Sequence, residues 1–275
     1  KTKMKNLCIG GGVALNGVAN YKILSEGPFE NIHIPPSPGD AGSAVGAAQY
    51  LYYTYHKNPK DISDNTQLIR ENVYVGPSYS DEEIKLFLDS KNISYEYFEG
   101  MPLLQKTAQL IADGNVVGWY QGKMEWGPRA LGNRSILADP RRSDMKDILN
   151  AKIKHRESFR PFAPSVMEEY ASEYFEINVP SPYMLMVAPV KKPKEIPAVT
   201  HVDGTGRLQT VSKESNELYY NLINEFYKNT GVPVIINTSM NVMGEPIVNT
   251  PEQAYSMIVK TDMDCIVMGN NVVMK

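Results

Sequence analysis

The stretch "KMEWGPRALGNRS", residues 123–135, sets two arginines, a lysine and a glutamate among loop-forming residues, directly after the apolar run "NVVGWYQG". Arg129 and Arg134 carry planar, forked donors that match phosphate or carboxylate oxygens, and Lys123 adds a point charge. Downstream, "KIKHRESFRPF" supplies Lys154, Arg156 and Arg160, the last followed by Pro161. Phosphate or phosphoanhydride chemistry needs convergent cations, because charge displaced in the transition state must be met by fixed charge of the opposite sign. Trp126, Pro128, Leu131, Ile136, Phe159 and Phe162 alternate with these cations, which favours a partly buried wall over a solvated face. The expected ligand is a small phosphorylated or adenylylated molecule.

A second group of polar side chains lies in "INTSMNVMGEPIV", residues 236–248. A strand ends there and at once offers Asn237, Thr238, Ser239 and Asn241, with Glu245 after Gly244. Open α/β sheets build ligand sites at such strand ends, and amides and hydroxyls there suit a carboxamide or phosphate oxygens; a plain Asx turn is the alternative. In "HVDGTGRLQTV", His201 and Asp203 precede a turn and Arg207 enters a strand-like run. Spacing supports neither a Ser–His–Asp triad nor a metal pair of the His-x-x-x-His kind. "GGGVALN" lacks the Lys-Ser/Thr ending of a Walker loop, although glycines after a strand let backbone approach a nucleotide. Asp40 sits at a strand–loop–helix junction, a suitable place for a metal ligand, but one carboxylate does not make a site.

The elements that must position these residues follow from periodicity and breakers. The chain has 275 residues, enough for two domains, with 42% hydrophobic and 21% charged residues. Its formal charge is −3, yet residues 115–160 hold ten Lys/Arg against five Asp/Glu. A local basic region on an acidic protein fits a small anion better than long nucleic acid. The start reads as two β–loop–α units, and the small residues Ala41, Gly42, Ala44, Gly46 and Ala47 suit a helix lying close against a sheet or another helix. Residues 57–70, polar and rich in breakers, read as a linker.

Beyond it, "SDEEIKLFLDSKNI" opens with a capping pattern, Ser80 then Glu83. "PLLQKTAQLIADG" places Leu103, Leu104, Thr107 and Ile111 on one helical face, and "SDMKDILNAKIKHRE" reads as a helix with Asn150 and Lys154 on a shared face. "SNELYYNLINEFYKNTG" has Leu218, Leu222, Ile223 and Phe226 as its stripe. "VPVIIN" is a buried strand, "TPEQAYSMIVK" a capped helix, and "CIVMGNNVVM" a closing strand or hairpin. Mixed strands and helices point to an α/β or α+β sheet protein. Cys8 and Cys265 lie in apolar segments and read as buried free thiols of a reducing compartment. No apolar run reaches membrane-spanning length, so the expectation is a cytoplasmic protein without a membrane partner. The opening "KTKMKNLCIGG" begins close to a strand and suggests a fragment of a longer protein.

Six ordered motifs, "GGVALNGVAN", "PSPGDAGSAVGAA", "MEWGPRALGNRSILADPR", "NAKIKHRESFRPFAPSV", "HVDGTGRLQTV" and "NTSMNVMGEPIV", resemble the O-carbamoyltransferase family of nodulation proteins and antibiotic-tailoring enzymes (NodU/CmcH type, which includes the tobramycin carbamoyltransferase). The resemblance covers nearly the whole chain. It implies a closing piece of a Kae1-like domain of the actin/Hsp70 class over residues 1–56, then a YrdC-like mixed-sheet domain over 71–275. It implies that the YrdC-like part makes carbamoyladenylate from carbamoyl phosphate and ATP with Mg2+, and that the Kae1-like part, with iron (Fe2+), moves the carbamoyl group to an acceptor hydroxyl. By this resemblance Arg129, Lys154, Arg160, Arg207, Asn237 and Ser239 match positions that hold carbamoyl phosphate or the adenylate, with Lys123, Arg134, Arg156 and Asn241 as further substrate contacts. Gly11, Gly12 and Asn16 match part of a nucleotide site, and Asp40 an iron-ligating aspartate. The family's paired metal histidines fall in an N-terminal half that these residues do not include. The acceptor, a sugar or antibiotic-like hydroxyl, is not legible; a homodimer is one option for the assembly. An RNA- or nucleotide-binding YrdC-like module and a sugar-kinase-like ATPase are the competing readings.

Overall fold

The computed structural model describes residues 2–58 and 72–275. Among them the first elements are β1 (Asn6–Cys8), α1 (Gly17–Glu26), β2 (Asn31–His33), α2 (Asp40–Gln49), α3 (Asp81–Ser90), β3 (Glu96–Tyr97), α4 (Met101–Ala112), β4 (Val117–Tyr120) and β5 (Arg134–Ala138). They continue as α5 (Met145–Ile148), β6 (Ala163–Met167), α6 (Ala171–Tyr174), β7 (Met186–Pro189), β8 (Thr205–Val211), α7 (Glu217–Thr230), β9 (Val234–Ser239), α8 (Pro251–Lys260), β10 (Cys265–Met268) and β11 (Asn271–Met274). The expected linker lies almost wholly outside the described residues.

The larger sheet runs β3-β11-β10-β4-β5-β9-β6-β8-β7. It is mixed: β10 with β4 and β6 with β8 are parallel, and the remaining pairs are antiparallel. Every residue of β4, β5 and β6 is buried, as strands covered on both faces require. The helices α4 and α7 pack on each other and reach β4, β5, β6 and β9, while α8 packs on β4 and β10. Local chemistry sets their ends. Ser80 and Glu83 close a capping box on α3, Thr250 and Gln253 another on α8, and Gly231, at φ 74°, ends α7 in the left-handed region that favours glycine.

The N-terminal β–α–β unit docks on the far edge of this sheet. β1 and β2 pair in parallel, and α1 lies against edge strand β7. Asn20 Nδ2 donates to the carbonyls of Ala14 and Leu185, each at 2.8 Å, and Tyr21 Oη donates to Glu176 O at 2.9 Å. A Cβ at Gly17 would stand 2.9 Å from Val187 Cγ2, so glycine permits the close approach. The docking covers a strand edge that would otherwise invite pairing. The proline-rich loop before α2 reaches further, to within 3.3 Å (Pro36 O) of where a Cβ of Gly127 would be. That contact abuts the loop that carries Arg129.

Four expectations need correction. Cys8 is exposed while Cys265 is buried, because strand alternation turns Leu7 inward and Cys8 outward. The α2 helix buries none of its residues, so its small side chains do not give the expected close packing against a sheet or another helix. Leu218 is 38% exposed; Leu222, Ile223 and Phe226 are buried as expected, and Tyr219 takes the place of Leu218 in the inward stripe of α7. The helix over 143–157 is α-helical only through α5 and then widens into a π-turn at Leu149–Lys154, ending at His155 with φ 48°. The wide turn buries Asn150, Ile153 and Lys154 together.

Candidate functional site

Five cationic side chains surround one cavity of about 200 Å³: Arg129, Lys154, Arg156, Arg160 and Arg207. None of the residues that line it is acidic. The cations come from three separate regions. Arg129 rises from the loop between β4 and β5, Lys154, Arg156 and Arg160 from the π-turn and the loop after it, and Arg207 from β8. Asn237, Thr238, Ser239 and Asn241, at the end of β9, close another side, with Phe162 and Met184 as apolar wall.

Each cation is held differently. Lys154 is buried, and its ammonium donates to the carbonyls of Ser239 and Asn241 and to Asn241 Oδ1, the last two at 2.9 Å. Burial, and then the charge of Arg156, push it down to about 7. Arg156 lies over the Phe162 ring at 4.7 Å and donates through Nε to Asn150 Oδ1 at 2.7 Å. Asn150 Nδ2 in turn donates to the carbonyls of Ser158 and Arg160, so this one buried amide fixes the loop that carries two cations. Arg160 is exposed at the rim and pairs with Glu157 at 2.9 Å. Arg129 and Arg207 both leave Nε without a partner in buried surroundings. Arg207 is pushed down to about 10, first by burial and then by Arg129 and Arg156.

The floor is a chain of amides. Gln209 Nε2 donates to Leu131 O at 2.9 Å, and Gln209 Oε1 accepts from Ser165 Oγ at 2.7 Å and Asn237 Nδ2 at 2.9 Å. Asn237 Oδ1 has no partner. Beside the floor, the loop that presents Arg129 is pinned by Glu125, whose Oε1 accepts the backbone N–H groups of Leu131, Asn133 and Arg134. Tyr74 Oη donates to Leu131 O at 2.9 Å from outside the loop.

Several expected site residues stand elsewhere. Arg134 is fully buried, but its guanidinium donates to the carbonyls of Gln121, Asn133, Pro77 and Gly122 and stacks 3.9 Å from the Tyr120 ring centroid. Both terminal nitrogens are engaged within the fold while Nε has no partner, and the residue is not among those that line the cavity, so it braces the start of β5. Lys123 is exposed at the loop tip, away from the lining. Gly11 and Gly12 are exposed, and Asn16 Oδ1 caps α1 by accepting from Ala19 N at 3.1 Å. None of these three lines the cavity. Asp40 is exposed in the first turn of α2, and among the described residues no group of three or more His, Cys, Asp and Glu comes together to hold a metal ion. The residues present therefore do not form an iron site by themselves. His201 Nδ1 lies 3.1 Å from Thr205 Oγ1 within its own turn, outside the lining.

The carbamoyltransferase C-terminus family model matches residues 108–275, and the carbamoyltransferase N-terminus model matches residues 1–49. The chain belongs to the carbamoyltransferase family. All six motifs quoted above fall inside these two spans. Among relatives of this chain, the uncharacterized protein sll1178 of Synechocystis is 45% identical over 99% of the chain and 48% of its own length. Nodulation protein NolNO of Sinorhizobium fredii is 44% identical over 100% of the chain and 40% of its own length, and nodulation protein U of Rhizobium fredii 38% over 87% and 39%. The chain thus spans about half the length, or less, of these curated relatives. Among solved structures, P. abyssi Sua5 complexed with L-threonine superposes with a TM-score of 0.45 at 17% identity, covering 61% of the chain and 46% of its own. E. coli YciO gives 0.43 at 13%, covering 63% and 80%. At these scores the superpositions carry no functional weight.

Sequence reasoning missed Glu125, Asn150 in its bracing role, Ser165 and Gln209. Glu125 was visible as the one acid among the cations of its loop. Ser165 and Gln209 were visible as polar residues inside strands that otherwise read as buried, a pattern that signals a satisfied polar layer.

Proposed function

We propose that this chain supplies the part of an ATP-dependent O-carbamoyltransferase that captures carbamoyl phosphate and, with ATP, forms a carbamoyladenylate for transfer to an acceptor hydroxyl. One observation carries the reading: five cations and no acid line a single small cavity in a chain of this family. Drug-sized ligands fill pockets of about 300 Å³ and more, so a cavity of about 200 Å³ suits a small phosphorylated molecule. RNA would be met by cations spread along a surface, not gathered around one hollow.

In this reading Arg129 and Arg207, each with an unpartnered Nε, meet phosphate oxygens, Lys154 contributes its charge while its hydrogens are held by Ser239 and Asn241, and Arg156 and Arg160 lie toward the rim. Burial, and then repulsion from neighbouring arginines, lower the Lys154 and Arg207 values, and an incoming dianion favours their charged forms. The amides and hydroxyl at the end of β9 face the carbamoyl end. Hydrolysis of carbamoyl phosphate releases orthophosphate and leaves carbamate, whose oxygen attacks the α-phosphorus of ATP and expels pyrophosphate; the same cations can neutralise the charge of both leaving groups. Mg2+ would arrive on the nucleotide's own phosphates, since no carboxylate lines the cavity to hold it separately. Iron chemistry and the acceptor, a sugar or antibiotic-like hydroxyl, would belong to residues beyond those matched here.

The test is ATP–pyrophosphate exchange dependent on carbamoyl phosphate. The wild-type chain exchanges, whereas Arg129→Ala and Lys154→Ala lose exchange while keeping the circular dichroism of the folded chain. Wild-type exchange in either variant would refute the assignment.

A further inference from the structure

The cavity floor carries a hydrogen-bond polarity fixed from outside the site. Leu131 O is a backbone carbonyl and can only accept, so the Gln209 amide must turn its Nε2 toward it, at 2.9 Å. That orientation aims Gln209 Oε1 at Asn237. A second oxygen placed against Oε1 would repel it, so Asn237 must present Nδ2 there, and does so at 2.9 Å. Ser165 Oγ donates to Gln209 Oε1 at 2.7 Å and lies 3.1 Å from Asn237 Nδ2, which gives the same sense. With Nδ2 held on this side, Asn237 Oδ1 is left as an acceptor with no partner, although the residue is only 1% exposed and lines the cavity. Arg129 Nε and Arg207 Nε, also of cavity-lining residues, are buried donors without partners.

We propose that Gln209 is a positioning residue that locks Asn237 with its carbonyl oxygen toward the ligand, so that the site selects a carbamoyl phosphate over an acyl phosphate of the same shape. The inference rests on the proposed function and adds the basis of substrate choice. A ring of cations recognises any phosphate. The unpartnered acceptor on the floor distinguishes an –NH2 group, which donates to it, from a –CH3 group, which leaves it buried and unpaired. Leaving such an acceptor unmet makes the wrong ligand weaker by roughly ten- to a hundredfold. Gln209 does not line the cavity, so its influence passes through Asn237.

The experiment is calorimetric titration of the 275-residue chain with carbamoyl phosphate, acetyl phosphate and inorganic phosphate. The wild type binds carbamoyl phosphate at least about tenfold more tightly than acetyl phosphate. In Gln209→Met the Asn237 amide keeps only Ser165 Oγ at 3.1 Å, a hydroxyl that can donate as well as accept, and a long contact to Ala130 O at 3.4 Å, so its orientation is no longer locked; the two affinities come within about threefold of each other, while inorganic phosphate binds as in the wild type because the cations are untouched. Ser165→Ala keeps the preference, since Leu131 O still orients Gln209. If Gln209→Met fails to fold, Asn237→Leu serves in its place and likewise loses the preference. A wild type that binds both ligands equally, or a Gln209→Met chain that keeps the full preference, overturns the inference and leaves the proposed function standing. A wild type that binds neither carbamoyl phosphate nor inorganic phosphate overturns the proposed function, and this inference with it.

Discussion

Glu125 Oε1 accepts the backbone N–H of Asn133 at 2.7 Å, closing a loop whose far side carries Arg129. The same oxygen takes the N–H groups of Leu131 and Arg134, at 2.8 and 3.2 Å. Three backbone donors therefore depend on one carboxylate in a buried place. Glu125→Ala leaves them unmet and destabilises the chain by about 2–3 kcal/mol, while Glu125→Gln, which keeps an acceptor oxygen, loses about half as much. Urea unfolding monitored by tryptophan fluorescence measures both. Equal stability of all three proteins would show that the loop keeps its shape without this acid.

Lys154 makes the site's response to pH predictable in sign. Its folded-state value of about 7 lies below the ordinary 10.5. Between those values the unfolded chain binds a proton that the folded chain has released, so this residue's unfavourable contribution shrinks as pH rises from about 7 toward 10.5, and is fully present below about 7. Anion binding runs the other way, because it uses the charged ammonium. Sulfate, whose charge is constant across this range, binds at least about threefold more weakly at about pH 9 than at about pH 6. Lys154→Met flattens that profile and binds sulfate weakly throughout. A wild-type affinity that stays level across the range would contradict the assigned value.

Much of this arrangement was legible because local rules acted alone. The capping boxes at Ser80 and Thr250 and the glycine stop at Gly231 appear where residue type demands them. The apolar neighbours of the cations signalled that Arg129 and Lys154 would be held against a wall, and both line the cavity. Arg134 shows where such reasoning ends. Its sequence surroundings match those of Arg129, yet strand pairing of β5 with β4 turns it toward the carbonyls of Gln121 and Gly122. Which of two neighbouring arginines serves a ligand is decided by the direction of a strand, and no property of the side chains reveals it. The π-turn is a similar case. Asn150 and Lys154 come inward together through a backbone widening that helical periodicity does not anticipate. The exposed face of α2 went unread for another reason: composition told what the helix could pack against, but not whether a neighbour was there.

Arg207 separates stability from binding most sharply. It stands on β8 opposite Val187, lines the cavity, leaves Nε unpaired, and is pushed down to about 10 by burial and by two other arginines. Arg207 is half-buried and no acidic residue lines the cavity beside it, so its charge disfavours the ligand-free fold, and an apolar side chain of similar length removes that penalty. Arg207→Met therefore raises the unfolding free energy of the ligand-free chain by about 1–2 kcal/mol. The same change removes a donor of the proposed phosphate site and lowers phosphate affinity by at least about tenfold, as expected for a charge-assisted hydrogen bond lost from such a site. Urea unfolding with and without phosphate reads both effects at once: in the wild type phosphate closes the gap, because ligand bound to the folded state adds to its stability, and in Arg207→Met it does not. A variant that is less stable than the wild type without phosphate would show that Arg207 supports the packing of β8, with ligand binding a secondary role.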